Sequence, residues 1–342
     1  MNTAIYGAGS IGTILGAYLT KGGLNVDLIS RNAGHISNLK ANGAHITGTV
    51  EMKVPVMALL PGEITKKYSL IFLVTKTTDN NNTIKDCAAL LTPDGVICTL
   101  QNGLPEMAVA EVIGEDRTYG CAIAWGTTMK GNGVCELTSE PDSLSFSLGS
   151  FSRNPDTHRL EIIKDILSLM GKVEIEQNFI GARWSKLLIN SSFSGISAVL
   201  GCTFGDAAKN RESRRCIQQI IKECIDVSRK AGIKMEPVQG KDICKLLDYN
   251  TGIKRYLSFM IIPLAIRKHR LLKASMLQDL EKGRLCEVDG INGVICSYGE
   301  KYNHPTPFND MVVKVIHEIE EGRAKPGFEN LVRFRKPDKV SK

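Results

Sequence analysis

Three glycines near the start of the chain have the spacing of a phosphate-binding turn. The turn reads Gly7-Ala8-Gly9-Ser10-Ile11-Gly12, and it lies between the apolar run Asn2–Tyr6 and a helical pattern. In a strand–turn–helix unit, such a turn brings backbone N–H groups and a helix N-terminus to the pyrophosphate of a dinucleotide. Gly7 would make the tight turn, Gly9 would leave room for the phosphates, and Gly12 would let the helix pack closely on the strand. Because a strand and a helix flank the turn, we interpret it as a dinucleotide site rather than a glycine-rich surface turn.

Polar side chains also follow three of the predicted strands. Arg31 comes after the predicted strand Asn25–Ser30, Lys76 after Ser69–Thr75 and Asn102 after Gly95–Leu100. Ligands of open α/β sheets bind beyond the carboxyl ends of the strands, so these side chains are candidate ligand contacts, although each alone could be an ordinary loop residue. An acidic residue after the second strand is typical of NAD sites, and an arginine is typical of NADP sites. Since Asp27 lies too early, inside the strand, Arg31 predicts NADP(H).

A polar stripe marks one helical segment in the second half of the chain. Lys186, Asn190 and Ser194 are each four residues apart, so a regular helix would place them on one face. The rest of this segment is apolar, and a lysine, an amide and a hydroxyl are unusual on a core-facing stripe. We interpret the stripe as a candidate site; the alternative is a solvated polar face.

The elements that would position these residues divide the chain into two domains. Strand and helix patterns predict an α/β fold, with an N-terminal Rossmann-type dinucleotide-binding domain over residues 1–177. A mainly α-helical C-terminal domain is expected over residues 178–330, followed by a frayed basic tail over residues 331–342. The predicted strands are Asn2–Tyr6, Asn25–Ser30, Ala44–Ile46, Glu51–Val56, Ser69–Thr75, Gly95–Leu100, Tyr119–Ala124, Val134–Leu137, Leu144–Leu148 and Val173–Glu176. The predicted helices are Ser10–Thr20, Asn80–Leu91, Thr157–Met170, Ile180–Val199, Ser213–Ala231, Asp242–Tyr249 and Pro307–Glu321.

Composition excludes several classes of function. The 342 residues are 43% hydrophobic and 23% charged, which is typical of a globular protein, and the net charge of +7 is spread along the chain. We expect neither a nucleic-acid nor a membrane partner, because no nucleic-acid-binding motif and no apolar run of about 20 residues occurs. Six scattered histidines give no metal site, and ten cysteines without C-x-x-C pairs suggest a reducing compartment. Because Met1 almost directly precedes the first strand, no room is left for a signal peptide, and we expect a cytoplasmic protein.

Both halves of the chain resemble the ketopantoate reductase (2-dehydropantoate 2-reductase) family. The matching segments occur in the order of that family and extend to about Pro307. They are Gly7–Gly12, Lys76, Gln101–Gly103, Arg183–Leu187 with Asn190, Ser275–Asp279 and Glu287–Gly293. The Ser275–Asp279 block with Glu287 behind it is the most specific of these matches, and the glycine turn is the least specific.

The resemblance implies NADPH-dependent reduction of a 2-oxo acid to a D-2-hydroxy acid. The first expectation is reduction of ketopantoate to (R)-pantoate, in pantothenate and coenzyme A biosynthesis, by an enzyme that forms a homodimer. By the same resemblance, Lys186 is the proton donor and Glu287 lies at the junction of cofactor and substrate. The implied cofactor contacts are Gly7, Ala8, Gly9, Ser10, Ile11, Gly12, Arg31, Lys76, Asn102 and Glu287. The implied substrate contacts are Asn102, Lys186, Asn190, Ser194 and Ser275.

The reaction agrees with these roles. Hydride addition to a ketone carbon leaves negative charge on the oxygen, and a cationic group beside that oxygen stabilises the charge and can transfer a proton to it. Lys186 suits this task better than an arginine, because a closed site can lower the pKa of a lysine. Glu287 would oppose that lowering while it orients the ammonium group. The reaction needs no metal.

Three features of the sequence depart from the family pattern. Ser194 stands where the family commonly has a second asparagine, and Phe204 stands near the position of another. The segment 239–273 is also longer and more apolar than in compact members. An alternative is therefore a related NADP-dependent dehydrogenase that acts on a different 2-oxo acid. A further alternative, an NADP-binding regulator without turnover, would leave Lys186 and Glu287 without a task.

Overall fold

The protein is described by a computed structural model that covers residues 1–238 and 240–335. The chain divides into two compact units, Met1–Phe179 and Ile180–Lys342. This division lies two residues after the predicted boundary.

The first unit is built on an eight-stranded sheet with the order β12-β11-β8-β7-β6-β1-β2-β5. Neighbouring strands from β5 to β8 are parallel, β8 and β11 are antiparallel, and β11 and β12 are parallel. The strands are β1 Thr3–Tyr6, β2 Val26–Ile29, β5 Met57–Leu59, β6 Tyr68–Leu73, β7 Leu91–Thr99, β8 Thr118–Ile123, β11 Ser145–Ser150 and β12 Lys172–Ile175. The predicted α/β, Rossmann-type architecture of this half is confirmed.

A smaller sheet has the order β4-β3-β10-β9. Its strands are β3 Ala44–Gly48, β4 Met52–Val54, β9 Thr127–Gly131 and β10 Val134–Leu137. This sheet packs on the first helix, where the buried imidazole of His35 accepts a bond from the Gly133 amide (3.0 Å) and contacts the Thr13 hydroxyl (3.0 Å). Burial lowers the pKa of His35, so its neutral form is favoured.

Five helices complete the first unit. They are α1 Ser10–Lys21, α2 Ala33–Asn42, α3 Asn80–Ala89, α4 Glu106–Ile113 and α5 Thr157–Ser168. Helices α2 and α4 were not predicted: α2 is mostly polar with three buried side chains, and α4 has only eight residues. The predicted helix over 80–91 is two residues too long, because Leu91 already begins β7.

Both faces of the central sheet are buried, as the apolar run of the predicted strand Ser69–Thr75 indicated. Along β6, Leu70 and Phe72 belong to one apolar cluster, whereas Ile71 and Leu73 belong to the other. Since side chains alternate between the two faces of a strand, each face of β6 contributes to a separate core.

The second unit is helical, as predicted. Its helices are α6 Phe179–Ile189, α7 Gly195–Leu200, α8 Phe204–Lys209, α9 Arg211–Lys230, α10 Ile243–Leu247, α11 Gly252–Ala265, α12 Ser275–Glu281, α13 Val288–Lys301 and α14 Pro307–Glu320. Helix α9 is central and packs against α8, α10, α11, α13 and α14. Among residues 1–238 and 240–335, no helix is both long and apolar enough to cross a membrane.

The first part of the predicted basic tail belongs to this fold. A 3-10 helix spans Phe328–Phe334, and Leu331 within it is buried. Arg333 pairs with Glu318 of α14 (2.7 Å), and Arg335 pairs with Glu212 of α9 (2.8 Å). The prediction of a frayed tail from residue 331 is therefore wrong for residues 331–335, because carboxylates on two helices fix them. Gln239 and residues 336–342 lie outside the described residues.

Candidate active site

The glycine turn has the geometry of a phosphate-binding turn. Gly7 has φ +112°, and a Cβ there would lie 2.4 Å from the Thr75 amide nitrogen. A Cβ on Gly12 would lie 2.4 Å from the Gly7 carbonyl oxygen, so α1 packs directly on the turn. A Cβ on Gly9 would meet no heavy atom within 4 Å. These environments match the separate tasks predicted for the three glycines: a tight turn, open space for a ligand, and close packing.

The N-terminus of α1 is suited to an anion. Gly9 is its N-cap, no side chain caps the helix, and the first turn contains no acidic residue. The amide groups of a first helical turn lack partners within the helix, so they are available to a phosphate. Thr127 of β9 donates to the Ser10 hydroxyl (2.8 Å), which fixes the side chain of the first helical residue. Ala8 is buried and Ile11 packs against the core, so both hold the turn through apolar contacts.

Arg31 follows β2 and is in contact with side chains of α3 and of its N-cap. Its guanidinium donates to Asp79 Oδ2 (2.9 Å) and to Thr83 Oγ1 (3.2 Å), and it lies 3.7 Å from Asp86 Oδ2. The hydrogen bond with Asp79 raises the pKa of Arg31 and lowers the pKa of Asp79. The side chain is 56% exposed, so Arg31 can contact a ligand, but two carboxylates already surround it.

Asp27 has a structural role, consistent with its position inside the strand. It is buried and accepts a hydrogen bond from the Tyr68 hydroxyl (2.7 Å), while Lys66 pairs with it at 2.9 Å. Burial raises the pKa of Tyr68, so the phenol remains a donor.

The ends of β6 and β7 are joined by Gln101. Its buried amide donates to the Thr75 carbonyl (2.9 Å) and to Asn80 Oδ1 (2.8 Å). The next residue, the half-buried Asn102, precedes Gly103, which has φ +81°. Lys76 is exposed and is the N-cap of a 3-10 turn. The sequence match included Gln101 but gave it no role; the structure shows that it fixes the loops that carry Asn102 and Lys76.

These predicted cofactor residues lie along one edge of the first unit. The strands β7, β6, β1 and β2 are adjacent and parallel, so Asn102, Lys76, the glycine turn and Arg31 all follow carboxyl ends at the same sheet edge. The uncapped helix and the open space at Gly9 fit a pyrophosphate, and this edge is where such sheets bind dinucleotides.

In the second unit, a π-helical turn interrupts the predicted helix over 180–199. Residues Asn190–Ser194, here called the π-turn, separate α6 from α7. Ser192 donates to the Leu188 carbonyl (2.7 Å), so a serine hydroxyl satisfies backbone oxygen at the irregular turn. Such turns occur often at functional sites. No local sequence pattern distinguishes a π-turn from an ordinary helix.

The π-turn changes the predicted polar stripe. Lys186 and Asn190 are both half-buried, but Ser194 is buried with 8% exposure. The α-helical spacing assumed for the stripe therefore applies to α6, which carries Lys186, but not to the π-turn from Asn190 to Ser194.

The remaining predicted residues surround the π-turn. Ser275 is the first residue of α12, and α12 packs against the π-turn and α7. Glu287 is buried at the N-cap of α13, and α13 also packs against the π-turn. The Glu287 side chain does not cap its own helix. The second unit thus brings together the elements that carry Lys186, Asn190, Ser194, Ser275 and Glu287.

Most of the cysteines lie in the interior of the protein. Eight of the ten cysteines are buried and all are free, and burial raises the pKa of Cys216 to about 12. Within the described ranges, no group of three or more histidine, cysteine or carboxylate side chains could hold a metal ion.

Known protein families match both units of the chain. The family models described as ketopantoate reductase PanE/ApbA and its C-terminal part match residues 3–150 and 178–320. A 2-dehydropantoate 2-reductase of Pyrococcus horikoshii is 28% identical over 323 residues, with 92% of this chain and 96% of the relative covered. A 2-dehydropantoate 2-reductase of Streptococcus pyogenes is 25% identical, with 92% and 97% covered.

Solved structures show the same fold. A ternary structure of D-mandelate dehydrogenase with NADH and anilino(oxo)acetate has a TM-score of 0.80 at 23% identity, covering 94% of this chain and 99% of that one. A ketopantoate reductase of Ralstonia eutropha has a TM-score of 0.78 at 22% identity, with 94% and 99% covered. With both family models matched in order across the two units, the chain belongs to the ketopantoate reductase family of oxidoreductases.

Proposed function

We propose that the chain reduces ketopantoate to (R)-pantoate with NADPH, as a step of pantothenate and coenzyme A biosynthesis. The observation that carries this proposal is the convergence of α12 and α13 on the π-turn, which groups the elements of Asn190, Ser275 and Glu287 with α6 and its Lys186. The glycine turn, with its uncapped helix and open Gly9, supports dinucleotide binding.

In the proposed reaction, each residue has a defined task. The reduced nicotinamide supplies the hydride to the ketone carbon when bound. The Lys186 ammonium donates a proton to the ketone oxygen, so that the carbonyl becomes an alcohol and the lysine is left neutral until it regains a proton from solvent. Asn190, Ser194 and Ser275 hold the substrate, and Glu287 orients the ammonium. Asn102 contacts both nicotinamide and substrate, while Lys76 and Arg31 bind the cofactor phosphates.

Replacement of the proton donor tests this mechanism. We expect Lys186→Ala to lower kcat by about 100-fold or more, the loss typical of a missing general acid, with an unchanged Kd for NADPH. Lys209→Ala, at an exposed lysine of α8, is the matched control and should retain full activity. An unchanged kcat in Lys186→Ala would contradict the assigned role.

A second candidate function keeps the reaction and changes the acid. Ser194 is buried, and Phe204 packs against Phe193 with ring centroids 5.9 Å apart, so apolar groups occupy a region where the family commonly has amides. The similarity to a D-mandelate dehydrogenase fold is consistent with this candidate. If an aromatic or branched 2-oxo acid has a higher kcat/KM than ketopantoate, this second function replaces the first.

Two further proposals concern the state of the protein. We propose a homodimer, because α11 exposes the apolar side chains of Ile253, Tyr256, Leu257 and Leu264, and a relative from Staphylococcus aureus is described as dimeric. Light scattering tests this proposal by comparing the molar mass of Leu257→Glu with that of the unmodified protein.

We also propose a cytoplasmic location, since all ten cysteines are free. Cell fractionation tests this location.

A further inference from the structure

A buried hydrogen bond from another helix holds the π-turn. The Asn292 side chain of α13 donates to the Ser191 carbonyl (3.1 Å), and Asn292 is fully buried. Carbonyl groups in a π-turn leave the regular helical pattern, and irregular backbone persists where its surroundings impose it. The amide of Asn292 is the side-chain group that reaches this backbone oxygen from outside the segment.

Asn292 is itself fixed by a chain of buried polar groups. Its side chain donates to Asn309 Oδ1 (2.9 Å), and Asn309 donates from its side chain to Glu223 Oε2 (2.7 Å). Glu223 also accepts from the backbone amides of Asn309 (3.0 Å) and Phe308 (2.9 Å) at the start of α14. Since both donors of Asn292 are used, a flipped amide would place its oxygen against two other oxygens, and its orientation is fixed.

A glycine on the neighbouring helix leaves space for the Asn292 amide. A Cβ on Gly195 would lie 2.8 Å from Asn292 Oδ1, so only a glycine leaves the necessary space. Within the described part of the chain, Asn292 Oδ1 has no hydrogen-bond partner although it is buried. The absence of a side chain at Gly195 therefore leaves room for the amide that donates to the π-turn and to Asn309.

We propose that Asn292 is a positioning residue that sets the register of the π-turn, and hence the placement of Asn190 relative to Glu287. Glu287 is the N-cap of the helix that carries Asn292, and Asn190 is the first residue of the π-turn. One helix thus holds both a predicted catalytic carboxylate and the turn that carries a predicted substrate contact. Asn309 and Glu223 support Asn292 through the buried hydrogen bonds described above. This inference rests on the proposed function, because the effect on substrate follows from the roles of these residues.

Asn292→Leu removes both donors at similar volume. We expect KM for the 2-oxo acid to rise at least tenfold, with a smaller change in kcat and an unchanged Kd for NADPH, because the turn carries substrate contacts. The matched control is Asn330→Leu: Asn330 is also buried in the second unit and donates to the Val199 (3.1 Å) and Lys325 (2.9 Å) carbonyls. The control should lose thermal stability but keep its KM.

Hydrogen exchange separates this inference from the proposed function. We expect faster amide exchange at residues 190–195 in Asn292→Leu than in Asn330→Leu, whatever the substrate is. If the unmodified protein reduces no 2-oxo acid but this exchange difference appears, the proposed function fails and the positioning role stands. Equal exchange in the two variants, or an unchanged KM in folded Asn292→Leu, overturns the inference.

A second variant covers the case in which Asn292→Leu does not fold. Gly195→Ala keeps every hydrogen-bonding group but forces the Asn292 amide away from its position, because the added Cβ would lie 2.8 Å from its oxygen. We expect the same rise in KM, to a smaller extent. If this variant folds and its KM is unchanged, Asn292 does not position the turn.

Discussion

The environment of Arg31 predicts how strongly the protein distinguishes its two nicotinamide cofactors. Arg31 donates to Asp79 Oδ2 at 2.9 Å and lies 3.7 Å from Asp86 Oδ2. A 2′-phosphate would accept charge-assisted hydrogen bonds from this guanidinium, and such bonds contribute about 1.5–3 kcal/mol. Because Arg31 is 56% exposed, solvent screening reduces this contribution. We expect Arg31→Ala to lower kcat/KM for NADPH by roughly 10-fold to 100-fold.

The carboxylates should act in the opposite direction. In the protein without cofactor, Asp79 satisfies the guanidinium, so a 2′-phosphate must compete with it. Removing this charge in Asp79→Asn should raise kcat/KM for NADPH by about twofold to fivefold, the range of an exposed ion pair, and leave the value for NADH unchanged. The gain should shrink as salt is added.

Initial rates of oxidation of NADPH and NADH, measured in parallel at low ionic strength, test both variants. Lys40→Ala is the matched control, because Lys40 also pairs with an exposed carboxylate, Glu63, at 2.6 Å in the first unit. Its NADPH-to-NADH ratio should equal that of the unmodified protein. If Arg31→Ala lowered kcat/KM equally for NADPH and NADH, Arg31 would not contact the 2′-phosphate, and this prediction would be wrong.

Three further predictions concern the glycine turn, its neighbouring loops and a buried carboxylate. Gly12→Ala should destabilise the fold by about 1–3 kcal/mol in chemical denaturation, since its Cβ would lie 2.4 Å from a backbone oxygen, whereas Gly9→Ala should keep the stability and lose cofactor affinity in fluorescence titration. Gln101→Ala should raise KM for the cofactor several-fold in initial-rate assays, because two loops lose their shared bonds; an unchanged KM would contradict this. Burial raises the pKa of Glu223 to about 7, so the folded state binds more protons than the unfolded state between about pH 4.5 and 7. The free energy of unfolding, measured relative to Glu223→Gln, should therefore fall by about 3 kcal/mol as the pH rises through this range, and a constant difference would show an ordinary pKa.

Features specified by local sequence could be predicted. Leu70–Val74, the central part of the run that became β6, has no polar residue on either face, so it indicated a strand buried on both sides, and both cores confirm this. The glycine turn could also be predicted from local sequence, since Gly7 has φ +112° and a Cβ on Gly12 would meet the Gly7 carbonyl oxygen.

Features that depend on distant residues could not be predicted. The π-turn is held by Asn292, which is 101 residues from Ser191 in the sequence, and no local pattern of Asn190–Ser194 differs from a helix. Likewise, the sequence around Arg31 indicated a cation available to a ligand. The structure shows a hydrogen bond from Arg31 to Asp79, which lies 48 residues later. The polar helix α2 was missed because few of its side chains contribute to a core.

Steady-state turnover of the unmodified protein on a panel of 2-oxo acids, followed by NADPH oxidation, tests the central claim most directly. We expect turnover of 2-oxo acids, with the highest kcat/KM for ketopantoate. Absence of NADPH oxidation with every 2-oxo acid of the panel, in a protein that binds NADPH, would contradict it.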